Sequence, residues 1–347
     1  MAVIAIVTSA PPLTSGGHLV IARALEQALR EAGHEAGIVT TPSNRFGRQA
    51  TAYLANRFTD VGMTGSGRHV DQIVTLRFPS YAVRHPRHVC WLNHTMREYY
   101  DQWDRFAAGL SPQGRLKERV RRALIRSADT HCFRRVTKLF AQSRTVQERL
   151  RRWNHVESEV LHPPPPQRPY RCDAYGDYVF FASRLAPLKR ADLLLRALAE
   201  PAAAGVRCVI GGDGEDRDRL TAMVAELRLG DRVTFAGLLS EAALVGHLAR
   251  CRAVVFVPRA EDYGFVTAEA FASAKPVVTC ADSGGPVELV RDGENGLVVA
   301  PDAPALAGAL ARLRDDPALA ERMGQQALRD VGALSWPAAV ERLVLPA

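Results

Sequence analysis

The sequence predicts an α/β protein of two doubly wound parallel-sheet domains, and three observations carry that prediction. Short β-branched runs alternate with longer segments of helical period along both halves of the chain, the pattern of a parallel sheet covered on both faces. A proline run at residues 163–166, followed by Pro169, continues neither a strand nor a helix interior and reads as a linker. The length of 347 residues suits roughly two domains, and 47% hydrophobic with 24% charged residues excludes a disordered or collagen-like chain.

In the first half, strands are predicted at residues 3–8, 36–40, 72–78, 88–93, 137–142 and 159–163. A helix runs from about His18 to Ala32 and stops at Gly33, where a left-handed residue ends it. The second half begins afresh with strands at 178–183, 206–212, 232–237, 253–258, 276–280 and 296–300, separated by helical stretches such as DLLLRALAE. The closing stretch SWPAAVERLV is helical, with Trp336 near its start. The expected domains are therefore 1–165 and 166–333, with a terminal helix in 334–347. In such sheets ligands sit outside the carboxyl ends of the strands, so the loops that follow strands are the candidate sites.

No apolar run approaches the ~18 residues that span a bilayer. The first apolar run has no basic residues ahead of it, unlike a signal peptide, so a cytoplasmic protein is expected. Six cysteines include no C-x-x-C pair and lie mostly in apolar runs, which argues against a disulfide framework. The net charge of +8 conceals an asymmetry: residues 1–170 hold 25 Lys+Arg against 13 Asp+Glu, and residues 171–347 hold 20 against 24. The excess concentrates at 115–138 and 144–153. On a helix, Val120, Leu124 and Ile125 cluster on one side among arginines, an arrangement suited to an anionic membrane surface or a negatively charged acceptor. Few aromatics accompany these arginines and no RNA-binding signature appears, so nucleic acid is not an expected partner.

Gly16 and Gly17 follow the first strand where the loop turns into a helix, so bare backbone can approach an anion. The segment GGDGEDRDR at 211–219 reads as a turn with an acidic helix start. Its Asp216-Arg217-Asp218 spells a cation-binding D-x-D only formally. His85, His88, Cys90 and His94 have spacings that zinc tolerates, but a strand at 88–93 puts His88 and Cys90 on one face and leaves His94 beyond its carboxyl end. No metal site is expected, and His94 stands as a candidate by itself. Arg184 and Lys189 lie between a strand and a helix, where two cations form a cradle for phosphate.

The most specific stretch is 258–299, in which Glu261 and Glu269 are separated by seven residues. A helix starting near Phe265 leaves Glu261 in the loop, puts Glu269 on the second turn, and frees the backbone N–H groups of Gly264, Phe265 and Val266. Carboxylates suit neighbouring sugar hydroxyls and the N–H groups suit an anion, a combination that describes a nucleotide sugar.

At this point the chain resembles the retaining glycosyltransferases of family four, glycosyl transferases group 1, with the two-domain GT-B fold facing a central cleft. The resemblance rests on E-x7-E as Glu261 and Glu269, on Gly284-Gly285 followed by Glu288, on Gly293 and Gly296, on SRLAPLKR with Arg184 and Lys189, and on the Gly16-Gly17 loop. It implies that Glu269 holds the ribose hydroxyls, that Arg184 and Lys189 neutralise the diphosphate, and that Glu261 contacts the sugar with Gly264, Phe265 and Val266. It further implies that His94 lies near the donor sugar, that the backbone at Leu238 contacts the base, and that the terminal helix returns to the first domain. The implied donor is a UDP- or GDP-linked sugar, with no metal and no other cofactor. The resemblance implies that the first domain binds the hydroxyl acceptor and the second the nucleotide sugar, and the basic excess of the first half makes a lipid-linked or otherwise anionic acceptor, at the inner face of the cell membrane, the expectation. The implied chemistry is a front-face displacement with the leaving phosphate taking the acceptor's proton. The alternative is a GT-B-fold epimerase acting on a UDP-linked amino sugar, which needs the same nucleotide pocket.

Overall fold

The computed structural model describes residues 1–11, 17–43 and 46–346, and the chain divides into two units. The first comprises Met1–Pro163 with Ser335–Ala347, and the second Pro164–Leu334.

The first unit carries β1 (Val3–Ala10), β2 (Glu35–Pro42), β3 (Gln72–Thr75), β4 (His88–Leu92), β5 (Lys138–Ala141) and β6 (Glu159–Val160) in one parallel sheet of order β2-β1-β3-β4-β5-β6. The β-branched run of β1 sits inside this sheet, where it is buried along almost its whole length. Helix α1 (Gly17–Glu31) buries Ile21, Leu25, Ala28 and Leu29 on one face, and Gly33 beyond it has φ +84°. The further helices are α2 (Gln49–Phe58), α3 (Trp103–Ala108), α4 (Pro112–Phe133) and α5 (Arg144–Arg149). Helix α4 is started by the Ser111 hydroxyl, which accepts from the Gly114 N–H at 3.2 Å, with Pro112 pre-set for the first turn.

The second unit carries β7 (Tyr178–Ala182), β8 (Arg207–Gly211), β9 (Val233–Gly237), β10 (Ala253–Val255), β11 (Val277–Cys280) and β12 (Gly296–Val299), ordered β12-β11-β10-β7-β8-β9. All neighbours are parallel. Its helices are α6 (Ala191–Ala199), α7 (Arg217–Glu226), α8 (Glu241–Arg250), α9 (Phe265–Ala272), α10 (Gly285–Leu289), α11 (Ala303–Asp315) and α12 (Pro317–Val331). Leu194, Leu195 and Leu198 of α6 pack with Ile210, Val255, Leu306 and Leu310 in a core cluster. Each such leucine contributes roughly 1.5–3 kcal/mol of burial. Strand order reverses between β7 and β10, so the crevice beyond their carboxyl ends is the topological switch point of this sheet.

The last helix, α13 (Trp336–Leu343), belongs to the first unit. Trp336 meets Trp91 edge to face, and the Leu343 carbonyl accepts from the Gln72 side chain at 2.7 Å.

Three strands end three residues earlier than the apolar runs predict, and each has a local cause. Beyond β10, the carbonyls of Val257 and Pro258 accept from Arg190 rather than from a neighbouring strand. Beyond β6, the Leu161 carbonyl accepts from the Trp91 indole, and the prolines from 163 have no N–H to pair. After β3 the chain turns into a short 3₁₀ segment, Ser80–Ala82. The expected cluster of Val120, Leu124 and Ile125 also divides: Ile125 is buried, whereas Leu116, Val120 and Leu124 line the exposed face of α4 at four-residue spacing. Among the described residues no helix is long and apolar enough to cross a membrane.

Candidate active site

The loop after β7 and the loop after β10 meet at the switch point of the second unit. Lys189, from the first loop, donates to Glu261 Oε2 of the second at 2.5 Å, with both side chains largely shielded from solvent. Lys189 also stands 5.6 Å from the centre of the Phe256 ring.

Glu261 is placed by backbone. Its N–H donates to the Ser283 carbonyl at 2.7 Å and its carbonyl accepts from the Gly285 N–H at 2.9 Å, so the 260–262 segment pairs with the glycine-bearing loop after β11. Only glycine fits at 284: φ is +76°, and a Cβ there would fall 2.5 Å from the Glu261 carbonyl oxygen. Gly264 takes up the turn into α9 with φ +82°, and a Cβ there would lie 2.5 Å from the Phe256 ring. Helix α9 therefore opens at Phe265, and the N–H groups of Gly264, Phe265 and Val266 donate to no described protein acceptor.

Arg190, next to Lys189, is a residue that sequence reasoning missed. Its φ of +54° turns it inward. The guanidinium donates to the carbonyls of Val257 and Pro258 at 2.7 and 2.8 Å and forks onto Asp282 at 2.9 and 2.6 Å. One buried cation thus ties together the loops after β7, β10 and β11. A Lys-Arg pair before a helix does not signal which of the two turns in.

Glu269 lies on the second turn of α9 and is buried. Its Oε1 accepts from Arg168 and, at 3.0 Å, from the Tyr170 hydroxyl. Arg168 also reaches Glu241, at the start of α8, at 3.0 Å. Burial pushes the Glu269 carboxyl above its usual range, and Arg168 pulls it back down. Both partners come from the stretch just after the proline run, about a hundred residues upstream, and no local motif announces them.

Arg184 is mostly exposed and pairs with Glu215 at 3.2 Å. The backbone, and then Arg184, hold the Glu215 carboxyl below its usual range. Leu238, just after β9, is 80% exposed, an unusual position for a large apolar side chain. In the first unit, His94 follows β4 and its Nδ1 lies 2.8 Å from the Thr95 carbonyl. Gly17 opens α1, while Gly16 lies outside the described residues.

Several residues of the zinc and D-x-D patterns are engaged within the protein. His88 bonds the Thr75 hydroxyl at 2.8 Å, and burial depresses its ring to about 3. Burial raises the Cys90 thiol to about 12. Asp216 precedes α7 and binds Arg219 at 3.0 Å. Among the described residues no three His, Cys, Asp or Glu side chains are grouped to hold an ion.

Known proteins share this arrangement of chain and fold. Residues 173–330 match the family described as glycosyl transferases group 1. A D-inositol 3-phosphate glycosyltransferase of Thermomonospora curvata is 38% identical over 185 residues, covering 50% of this chain and 42% of that protein. An alpha-D-kanosaminyltransferase of Streptomyces kanamyceticus is 29% identical over 232 residues, 61% of this chain and 60% of the relative. The chain thus spans about half the length of the curated relatives it matches. Among solved structures, a sucrose-phosphate synthase from Thermosynechococcus elongatus superposes with a TM-score of 0.79 at 20% identity, covering 97% of this chain and 96% of that one. The Anabaena protein HepE, solved with UDP and glucose, gives 0.67 at 17% identity, covering 97% of each.

The fold is the GT-B type, two doubly wound parallel-sheet units, as in these solved structures. The match to the glycosyl transferases group 1 family falls within the second unit, at residues 173–330.

Proposed function

We propose that the protein is a retaining, metal-independent glycosyltransferase that moves a hexose from a UDP- or GDP-linked sugar to a hydroxyl acceptor. The observation that carries the reading is the Lys189–Glu261 pair at the switch point, flanked by the open start of α9 and by the buried Glu269. Relatives named as sugar transferases and the structural neighbour solved with UDP support it. The same names speak against the epimerase.

In this reading Glu269 receives the ribose hydroxyls and the backbone near Leu238 the base. Lys189 and Arg184 meet the diphosphate. The Arg184–Glu215 bridge is a surface pair worth about 0–1 kcal/mol, so exchanging it for a phosphate costs little. Glu261 and the N–H groups of Gly264, Phe265 and Val266 orient the hexose. The acceptor oxygen attacks the anomeric carbon on the face from which the phosphate oxygen departs. The C–O bond to the diphosphate breaks, and the acceptor proton passes to that phosphate oxygen. The protein then needs charge stabilisation rather than a base of its own, and preorganised cations supply it.

The acceptor side is anionic or lipid-linked. The basic excess of residues 1–170 supports this, as does the anionic substrate in the names of several relatives. That excess also supports residence at an anionic membrane face. Incubation with UDP- and GDP-sugars in the presence of a chelator tests the reading: a product with retained anomeric configuration, formed only with a second substrate, is expected. Turnover that stops with chelator, or sugar isomerisation without an acceptor, would overturn it.

A further inference from the structure

Two adjoining cavities open in the first unit at the amino ends of β4 and β5, the opposite edge of the sheet from His94. One, of 350 Å³, is lined by Arg57 at the end of α2, by Arg84 ahead of β4, and by Arg135 ahead of β5, with Tyr81 and Cys132 in its wall. The other, of 510 Å³, shares Arg135 and adds Arg126, Arg134 and Trp153. No Asp or Glu lines either one.

Most arginines of this chain are committed: Arg190, Arg232 and Arg252, for example, each satisfy several carbonyls. The guanidinium groups of Arg57, Arg84, Arg134 and Arg135 instead form no hydrogen bond or ion pair with any described residue. Four uncommitted forks around joined concavities repel one another and present donors in the geometry that a phosphate accepts.

The neighbouring surface narrows the choice. Along α4, toward its start from the second cavity, Leu116, Val120 and Leu124 are 65%, 56% and 65% exposed on one helix face. Lys117 and Arg119 flank them, also exposed.

We propose that the paired cavities around Arg135 bind a phosphate group, with the apolar stripe of α4 favouring the headgroup of an anionic phospholipid over a soluble phosphate. The inference goes beyond the donor reading, because none of these residues belongs to that site. Its position at the amino ends of the strands makes it a docking site and not a second reaction site.

The test uses the full chain saturated with UDP, so that pyrophosphate cannot report on the donor pocket. Added pyrophosphate is expected to raise the thermal midpoint further, and the Arg84→Ala/Arg135→Ala double variant to weaken that binding at least tenfold with its UDP response unchanged. Cosedimentation with phosphatidylglycerol vesicles, compared with phosphatidylcholine, separates the sources. Capture lost both in that double variant and in a second one that makes the stripe polar, Val120→Ser/Leu124→Ser, assigns the lipid, whereas pyrophosphate binding without capture assigns a soluble phosphate compound. Equal pyrophosphate and vesicle binding by wild type and the arginine double variant, or no binding of either probe by wild type, overturns the proposal. Failure of UDP itself to bind would instead count against the donor reading.

Discussion

Replacing Glu269 separates its binding role from its structural one. Truncation to alanine leaves the nearly buried Arg168 guanidinium with only the exposed Glu241 as a partner, and leaves the Tyr170 hydroxyl without its acceptor. Breaking a buried ion pair costs about 3–5 kcal/mol. The remaining bond to Glu241 offsets part of it, so Glu269→Ala should lose about 2–4 kcal/mol. At about 2–4 °C per kcal/mol for a domain of this size, the melting midpoint falls by roughly 5–15 °C. Glu269→Gln keeps an acceptor oxygen toward Arg168 and Tyr170 and loses only the charge, at about 1–2 kcal/mol. Its expected effect on UDP is a similar loss per ribose hydroxyl bond, or about tenfold in Kd. Differential scanning fluorimetry and calorimetry on both variants read the two effects separately. A Glu269→Ala variant with wild-type midpoint and wild-type UDP affinity would refute the assignment.

Three further outcomes follow from the geometry. Arg190→Ala should lower stability by about 2–4 kcal/mol, since two carbonyls and Asp282 lose their shared partner, and Arg190→Lys should recover little because an ammonium cannot reproduce the fork; urea midpoints equal to wild type would contradict this. Gly284→Ala should depress turnover without removing any functional side chain, because its methyl meets the Glu261 carbonyl at a positive φ; unchanged kcat would show that Glu261 placement does not matter. Asp129, wholly buried among Tyr53, Tyr81 and Tyr100 with Arg126 nearby, is pushed up to about 7 by burial. Its folded value lies above the unfolded one, so its stabilising contribution is complete below about pH 4 and is lost as pH rises toward 7, on the order of 4 kcal/mol in all. Asp129→Asn should flatten that slope in pH-dependent denaturation, and parallel profiles would sink the explanation.

Much of the fold was readable because its signals are local. A strand buried on both faces must be a β-branched run, which is why VIAIVT and VRCVIGG pointed to their strands without further help. The proline run at 163–166 cannot pair, and the change of unit falls there. Glu261, Gly264, Glu269 and Gly284 were legible for a related reason: a tight loop entering a helix restricts residue type at fixed spacing. Arg168, Tyr170 and Arg190 were not. Their roles arise from pairings across roughly 70 to 100 residues, which periodicity cannot reveal. Strand ends failed similarly, since the apolar run at 253–258 continues past the point where Arg190 takes over the carbonyls. The exposed stripe on α4 needed the packing of the helix to show that Ile125 faces inward while Leu124 faces out.

In the proposed function the second unit grips a nucleoside diphosphate through Lys189 and its neighbours. Isothermal titration of UDP and GDP into the wild-type chain and into Lys189→Ala tests it most directly. Saturable one-site binding of at least one of the two is expected, weakened about tenfold or more by the substitution. Absence of heat and of any thermal stabilisation with both nucleotides, or equal affinity in the two proteins, would contradict it.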